Sequence, residues 1–407
     1  MNYMIKHMDM PLVAFTYKKE VEHAVVNKEL SDYLPLPLKR IINSQLEFVA
    51  GNRDNLLYVN EDGCWLIESW LNDRETPVNR AQFHKYVKDG MTAKQWMLEN
   101  HGCSFTDCYW IMREDESLTW DDVKYYNYKD VDTLQVIMNG HNRMYKGINA
   151  TLGGELEKFW YISKENDTQT LKLCKKTDKL SDVLNAREVI ASLIYQKQGY
   201  PYFTDYQFVF DRNHDVVGCK CKAFTSEQKE LITAYDLLEE INETQVKAVY
   251  ERIIEQAISY GGDADQIRNY MDLQTIVDYL ILNRDRHQGN IGFLRDSDTL
   301  QIISPAPVYD SGSSKYMEQQ TPEGITGTTV NGLYDTEDEC LSHVTSWDVI
   351  DLAKLPKRSE LQVIYDQCSN ITERRKAELL DLYEGKVEYI KEKMHDRNYL
   401  PDDLEIE

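Results

Sequence analysis

Apolar and polar residues alternate in short runs between residues 149 and 235. TLKLCKK, YQFVF and VVGCKCKAF show the period of two that is typical of strands. The stretch SDVLNAREVIASLIYQKQG instead repeats apolar residues at helical spacing and ends at Gly199, which predicts a helix. The order strand, strand, helix, strand, strand therefore predicts a small sheet with one helix packed on it.

After residue 235 the pattern becomes mainly helical. DLQTIVDYLILN places Leu273, Ile276, Val277 and Leu280 on one face, and Asp272 is the expected N-cap. The apolar runs IGFL and LQIIS, joined by RDSDT, predict a hairpin. A long amphipathic helix is predicted near the end by five apolar residues at helical spacing: Leu379, Tyr383, Val387, Ile390 and Met394.

The first part of the chain is rich in tryptophan, since six of the seven tryptophans lie in the first 160 residues. Large aromatic side chains dominate small cores, so we expect this part to have a core of its own. Gly and Asn cluster in NGHNRMYKGIN, where we place a boundary. The predicted domains are an accessory domain over 1–145, a sheet-rich lobe over 146–235 and a helical lobe over 236–407.

Composition excludes several classes of function. The net charge is -23, with 69 acidic and 46 basic residues, which disfavours direct nucleic-acid binding. The eight cysteines form no pair of CxxC units, so we expect reduced thiols and no disulfide framework or zinc site. The N-terminus has no signal-peptide pattern and no stretch approaches a membrane span, so the expected location is the cytoplasm.

The polar stretch NRDRHQGNIGFL lies between the helix ending in YLIL and the hairpin. It contains Asp285 and Asn290, five residues apart, and Asp310 opens YDSGSS further on. In phosphoryl transfer one carboxylate orients the attacking hydroxyl, and an amide with a second carboxylate holds the Mg²⁺ that spans the ATP phosphates. The interval from Asp285 to Asn290 is the interval of the protein-kinase loop, but His287 follows the aspartate instead of preceding it.

This altered order, D-R-H-x-x-N followed by D-S-G, resembles the HipA family of bacterial kinases and, more distantly, phosphatidylinositol kinases. The resemblance covers about residues 149–320 and extends more faintly through the C-terminal helices. It implies an α+β, two-lobed protein-kinase-like fold that binds ATP and Mg²⁺ and phosphorylates Ser or Thr of a protein. Family members are often toxins paired with a small DNA-binding antitoxin. DCYWIMREDESLTWDDVKYYN and LNDRETPVNR resemble accessory segments of some HipA-like proteins, which implies an extra N-terminal α/β domain.

Carried over to this sequence, the resemblance implies a role for each residue of the motif. Asp285 matches the catalytic base, and Asn290 and Asp310 match the metal ligands. His287 lies where the family has a histidine at the nucleotide phosphates.

A kinase also needs a strand lysine that binds phosphate oxygens and a helix carboxylate that holds this lysine. In LKLCK, Lys175 shares one face of the strand with Leu173, so it is the predicted phosphate ligand, with Lys172 as the alternative. Glu188 lies about midway along the following helix and is the predicted partner of the lysine.

Two further segments are predicted to contact the nucleotide. TLGGELEK stands where a phosphate-covering loop belongs, with Leu152, Gly153 and Gly154 at the phosphates and Thr151 as the nearest hydroxyl. CKAFTSEQKEL is the predicted hinge, where the backbone around Lys222 meets the adenine edge and Phe224 packs on its face.

The sequence leaves other functions open. The same scaffold could phosphorylate a lipid or a small molecule, although the acidic composition argues against anionic membranes. A nucleotide-binding pseudokinase acting as a regulatory partner is the other alternative. A serine-hydrolase interpretation of DSGSS is excluded because the G-x-S-x-G elbow is absent.

Overall fold

The computed structural model describes residues 1–43, 55–75, 90–124, 157–165, 168–176, 182–239, 247–312 and 324–396. These ranges contain both helices and strands, so the predicted α+β class is confirmed. The strands are β1 (Asn2–His7), β2 (Met10–Tyr17), β3 (Val21–Asn27), β4 (Leu56–Tyr58), β5 (Tyr109–Arg113), β6 (Glu157–Glu165), β7 (Thr168–Lys176), β8 (Gln207–Phe210), β9 (Val216–Lys222), β10 (Lys229–Thr233), β11 (Gly292–Asp296) and β12 (Ile302–Pro305). The helices are α1 (Leu36–Asn43), α2 (Glu61–Asp73), α3 (Ala93–Glu99), α4 (Trp120–Val123), α5 (Asp182–Gln198), α6 (Ala234–Glu239), α7 (Val249–Ser259), α8 (Ala264–Ile281), α9 (Glu337–Ser342), α10 (Arg358–Asp366) and α11 (Glu373–Asp396).

The N-terminal part forms an antiparallel sheet in the order β4-β3-β2-β1-β5. Its buried face packs with α1 and α2 into a hydrophobic cluster that is separate from the core of the helical part. Ile5, Val13 and Ile67 are fully buried in that cluster. The boundary predicted near residue 145 lies outside the described residues, so the three domain limits stay a prediction.

A second sheet has the antiparallel order β6-β7-β9-β8, with α5 inserted between β7 and β8. This is the predicted succession of strand, strand, helix, strand, strand. The helix stops at Gly199, whose φ of +69° is the left-handed conformation common after a helix end. Ala186, Ile190 and Ile194 of α5 pack in the core of the helical part, so this helix joins the sheet to that part.

The helical part contains a third sheet in the order β10-β11-β12. The predicted hairpin is confirmed as β11 and β12, which are paired antiparallel. The preceding strand β10 was not predicted, although Leu231 and Ile232 pair with Leu294 and Phe293. The long C-terminal helix is confirmed as α11. Within the described ranges, no helix combines the length and apolar character needed to cross a membrane.

The prediction that Asp272 caps a helix is wrong. Helix α8 begins at Ala264 with Asp263 as its N-cap, and Asp272 lies buried in its middle. The Asp272 carboxylate accepts hydrogen bonds from the hydroxyls of Tyr250 at 2.6 Å and Thr345 at 2.8 Å. A buried carboxylate inside a helix imitates an N-cap in sequence because both are an acidic residue before an apolar run.

The end of α8 fixes the start of the polar loop. Leu282 adopts the left-handed conformation with φ +60°, and the N–H of Asn283 donates to the Asp278 carbonyl at 2.8 Å. The chain then passes through residues 283–291 into β11. The loop is therefore anchored by a buried helix on one side and a buried strand on the other, as the sequence predicts.

Candidate active site

Lys175 lies at the centre of the site, where β7 faces α5. Its ammonium nitrogen contacts Oε1 of Glu188 and lies 2.7 Å from Oδ1 of Asp310. Burial would lower the lysine pKa, but the two carboxylates, Asp310 first, raise it well above its usual value. Lys175 is therefore a permanent cation, and it is this lysine rather than Lys172 that the structure places against Glu188.

Asp310 follows β12, and its carboxylate contacts a second lysine. Nζ of Lys158, on β6, lies 3.3 Å from its Oδ2. Burial would raise the pKa of Asp310, but Lys158 and Lys175 together hold it far below the usual carboxyl range. Asp310 also has φ +55°, a left-handed conformation that is uncommon for a residue other than glycine and frequent at functional sites. Sequence reasoning missed Lys158, which lies 152 residues from Asp310.

Glu188 connects the lysine to the loop that follows Asp310. One carboxylate oxygen contacts Lys175, and the other accepts the backbone N–H of Ser311 at 2.9 Å. The loop runs so close to α5 that a Cβ on Gly312 would lie 2.9 Å from the Leu184 carbonyl oxygen. The glycine of D-S-G is therefore needed to bring Asp310 against the lysine.

Arg286 joins the polar loop to the Asp310 loop. Its guanidinium binds Asp278 of α8 through two nitrogens, at 2.7 and 3.0 Å. One of its nitrogens also donates to the carbonyls of Asn290 and Tyr309, both at 2.6 Å. Asn290 and the residue before Asp310 are thereby held side by side. The motif contained Arg286, but sequence reasoning gave it no role.

The side chain of Asn290 contacts the backbone of Asp285. The side-chain amide of Asn290 donates to the Asp285 carbonyl at 2.9 Å, which fixes the orientation of the amide. The half-buried Asp285 carboxylate accepts a hydrogen bond from Asn331 at 2.6 Å. Burial is the main reason that the pKa of Asp285 is raised, and the negative charge of Asp310 adds to it. A raised carboxyl pKa suits a group that must accept a proton.

Of the other residues predicted to contact the nucleotide, His287, Phe224 and Lys222 are described by the structure and the loop residues are not. His287 accepts the Gly289 N–H through Nδ1 at 3.1 Å, so the ring proton of the neutral form is on Nε2. Phe224 stacks on Tyr309, the residue before Asp310, with 5.8 Å between ring centroids, whereas Lys222 is exposed at the end of β9. The predicted loop residues Thr151, Leu152, Gly153 and Gly154 lie outside the described residues.

The donors fit a hard divalent cation. Asp310 supplies carboxylate oxygens and Asn290 an amide oxygen, the oxygen ligands that Mg²⁺ prefers. Among the residues that the structure describes, no group of three or more His, Cys, Asp or Glu could form an all-protein metal cage. A few protein oxygens completed by phosphates and water are typical of magnesium at a nucleotide.

No protein-family model matches this sequence, and no curated protein matches it. Several solved chains match this one in fold, among them the following two. The Helicobacter pylori proinflammatory kinase CtkA is 17% identical, with a TM-score of 0.43 over 60% of this chain and 97% of that chain. HipA of the Shewanella oneidensis MR-1 toxin–antitoxin system, in a complex with HipB and operator DNA, is 12% identical, with a TM-score of 0.48 over 99% and 100% of the two chains.

Proposed function

We propose that this chain is an ATP- and Mg²⁺-dependent kinase that phosphorylates serine or threonine of a protein. The observation behind the proposal is the contact of Lys175 with Glu188 and Asp310, joined through Arg286 to the loop of Asp285 and Asn290. A strand lysine, a helix glutamate and two acidic loops in this arrangement are the parts that phosphoryl transfer requires.

Each residue has a distinct task in the proposed reaction. Asp285 accepts the proton of the acceptor hydroxyl, whose oxygen forms a bond to the γ-phosphorus of ATP. The bond from that phosphorus to the bridging oxygen breaks, and ADP leaves. Asp310 and Asn290 would hold Mg²⁺, which neutralises charge on the phosphates when it is bound. Tyr309 and Phe224 stack beside the place proposed for adenine.

The two lysines at Asp310 support these separate roles. Lys158 and Lys175 both pair with the carboxylate that is assigned to the metal. Once a divalent cation occupies Asp310, the same ammonium groups are available to phosphate oxygens. Lys175 keeps its contact with Glu188, so its position is maintained while its second partner changes.

The test uses the full chain with Mg²⁺ and γ-labelled ATP. We expect label on protein and ADP formation, and we expect Asp285→Asn to lower the transfer rate by about 10²–10⁴-fold, as for loss of a general base, with ATP affinity unchanged. Asp310→Asn should remove the Mg²⁺ dependence of ATP binding. Asp298→Asn is the matched control, because Asp298 is exposed in the β11–β12 turn.

Two results would contradict the proposal. Tight ATP binding with no transfer, and no difference between wild type and Asp285→Asn, would favour a pseudokinase. Label found on lipid vesicles or small alcohols but never on protein would favour the other kinase chemistry.

We further propose a basic, antitoxin-like DNA-binding protein as the partner. The net charge of -23 supports a basic protein surface as the partner rather than DNA itself. The Shewanella HipA was solved together with HipB and operator DNA. A gel shift of DNA by this chain alone would contradict the proposal.

A further inference from the structure

The segment Thr329–Thr336 lies against the polar loop and belongs to none of the elements discussed so far. It closes as a small hairpin through the Thr329–Thr336 bridge and the Val330 N–H, which donates to the Asp335 carbonyl at 3.0 Å. Asn331 is near its tip. The Asn331 backbone N–H donates to the Arg284 carbonyl at 2.8 Å, immediately before Asp285 in the chain.

The side chain of Asn331 reaches the proposed base itself. Its Nδ2 donates to Oδ1 of Asp285 at 2.6 Å, across 46 residues of sequence. The backbone hydrogen bond to Arg284 fixes the hairpin, and the side-chain hydrogen bond to Asp285 fixes the carboxylate. One oxygen of Asp285, Oδ1, is thereby held in place.

The hairpin is itself firmly attached. The ring of Tyr334 stacks on His343 with 4.1 Å between centroids and 8° between planes. The Tyr334 hydroxyl accepts the Tyr250 N–H at 3.3 Å. Thr336 caps α9 by accepting the Glu339 N–H at 3.2 Å. The arm of the hairpin that follows Asn331 is therefore fixed to α7 and α9.

The two sides of Asp285 differ in exposure. Lys175 and Glu188, on the nucleotide side, are 3% exposed, whereas Asn331 is exposed at the surface. An acceptor as large as a polypeptide can reach Asp285 only from an open side, and Asn331 lies on such a side.

We propose that Asn331 is a positioning residue of the acceptor site, which orients the Asp285 carboxylate toward the incoming hydroxyl. The proposal rests on the proposed kinase function. A hydrogen bond from a neutral amide to a carboxylate holds one of its oxygens in place, so the direction in which the carboxylate meets an acceptor is set by the hairpin.

The experiment measures ATP turnover by the full chain, with water as the acceptor. We expect Asn331→Ala to lower kcat about tenfold, the scale of a hydrogen bond to a charged group. The KM for ATP should stay within about twofold, because the nucleotide side is unchanged. A loss confined to kcat is the result that distinguishes a positioning role from a general structural defect, which would change the KM as well.

Three further variants make the assignment specific. Asn331→Asp removes the amide donor and places a second carboxylate beside Asp285, so we expect kcat to fall at least as far as in Asn331→Ala. Asn331→Gln keeps an amide donor and should restore part of kcat. Asn213→Ala is the control, since Asn213 is exposed in the turn between β8 and β9. Melting temperatures verify that each variant is folded, and all of them retain the backbone bond to Arg284.

Failure of this inference can be told from failure of the proposed function. If Asn331→Ala and Asn331→Asp keep the kcat of the wild type while Asp285→Asn is inactive, Asn331 has no positioning role and the kinase assignment stands. If Asn331→Ala raises kcat, the residue blocks the base instead, and the proposal is wrong. If the wild type neither turns over ATP nor transfers phosphate to protein, both proposals fall.

Discussion

The carboxylate of Asp310 lies between two ammonium groups that differ in their surroundings. Lys175 has 4% of its side chain exposed and contacts two carboxylates, whereas Lys158 has 14% exposed and lies 3.3 Å from Asp310. Removing one partner of a buried ion pair leaves a charge without compensation, which costs far more than loss of a pair near the surface. The two lysines should therefore respond differently to the same substitution.

We predict that Lys175→Met lowers the free energy of unfolding by about 3–5 kcal/mol, because Glu188 and Asp310 then repel each other in a buried site. It should also abolish phosphoryl transfer. Lys158→Met should cost about 1 kcal/mol or less and act mainly by raising the KM for ATP. Urea denaturation and steady-state kinetics measure both effects, and Lys229→Met on the exposed side of β10 is the control. Equal effects of the two substitutions on stability would contradict this assignment.

The site residues that the sequence predicts belong to recognisable patterns within one strand or helix. The residues that it misses are far in sequence from the carboxylates that they contact. Alternation along one strand selected Lys175 over Lys172, and helix position selected Glu188, which lies 13 residues away. The partners Lys158 and Asn331 lie 152 and 46 residues from the carboxylates that they contact. Neither has a pattern of its own, because a lone Lys on a strand or a lone Asn in a loop is common at protein surfaces. Only the folded chain brings them to the site.

At the scale of elements, Arg286 determines how three segments meet. Its guanidinium links α8 through Asp278, the polar loop through the Asn290 carbonyl, and the Asp310 loop through the Tyr309 carbonyl and the Ser311 hydroxyl. Arg286 is buried, and the charge of Asp278 keeps its pKa above its usual value in spite of burial. An arginine suits this place because its planar fork can donate to several acceptors at once.

We therefore predict that Arg286→Met lowers the free energy of unfolding by about 3–5 kcal/mol, since the buried Asp278 carboxylate loses its partner. Arg286→Lys should recover little, because an ammonium cannot reproduce the paired bonds to Asp278. Arg374→Met is the control. Arg374 is 90% exposed and pairs with Glu378 one helical turn away, so its loss should cost less than about 0.5 kcal/mol. Similar unfolding curves for the two Met variants would show that Arg286 does not hold these segments together.

Periodicity predicted most elements that surround the site, but it failed at two of them. Strand β10 was missed because the predicted hinge CKAFTSEQKEL includes its first three residues, and only the pairing with β11 makes it a strand. The start of α8 was placed at Asp272 because the residues before it, DADQIRNYM, have few apolar positions. The helix extends to Ala264 because Ile267, Tyr270 and Met271 are buried against neighbouring helices. In both places the tertiary context decides, which a single sequence does not contain.

At the scale of the whole molecule, one buried carboxylate ties the N-terminal sheet to the hairpin that follows the polar loop. Glu230 of β10 is fully buried and accepts hydrogen bonds from the His7 ring at 2.9 Å and the Cys108 N–H at 2.7 Å. Its other oxygen accepts Nε of Arg295 at 2.7 Å, and Arg295 also donates to the Tyr109 hydroxyl at 2.9 Å. The accessory part is thus anchored to β10 and β11.

This anchor should make the stability of the N-terminal part depend on pH. Burial would raise the pKa of Glu230, but Arg295 and then His7 lower it to about 2. The stabilisation is fully present above the usual carboxyl pKa of about 4.3 and is lost as the pH falls through the folded-state value. We predict that Glu230→Gln lowers the free energy of unfolding by about 3 kcal/mol at pH 7, because the buried Arg295 loses its counter-charge.

Tryptophan fluorescence during urea unfolding measures this effect, since six of the seven tryptophans lie in the first 160 residues. The difference between wild type and Glu230→Gln should be constant from pH 7 to 5 and shrink below about pH 4.3, where the unfolded wild type begins to take up the proton that the variant cannot bind. Glu20→Gln, in the exposed turn between β2 and β3, should behave like the wild type at every pH. A difference that stays the same down to the acid limit of folding would mean that the charge of Glu230 does not stabilise the contact. The anchor would then depend on hydrogen-bond geometry that Gln does not reproduce, whatever the charge of the side chain.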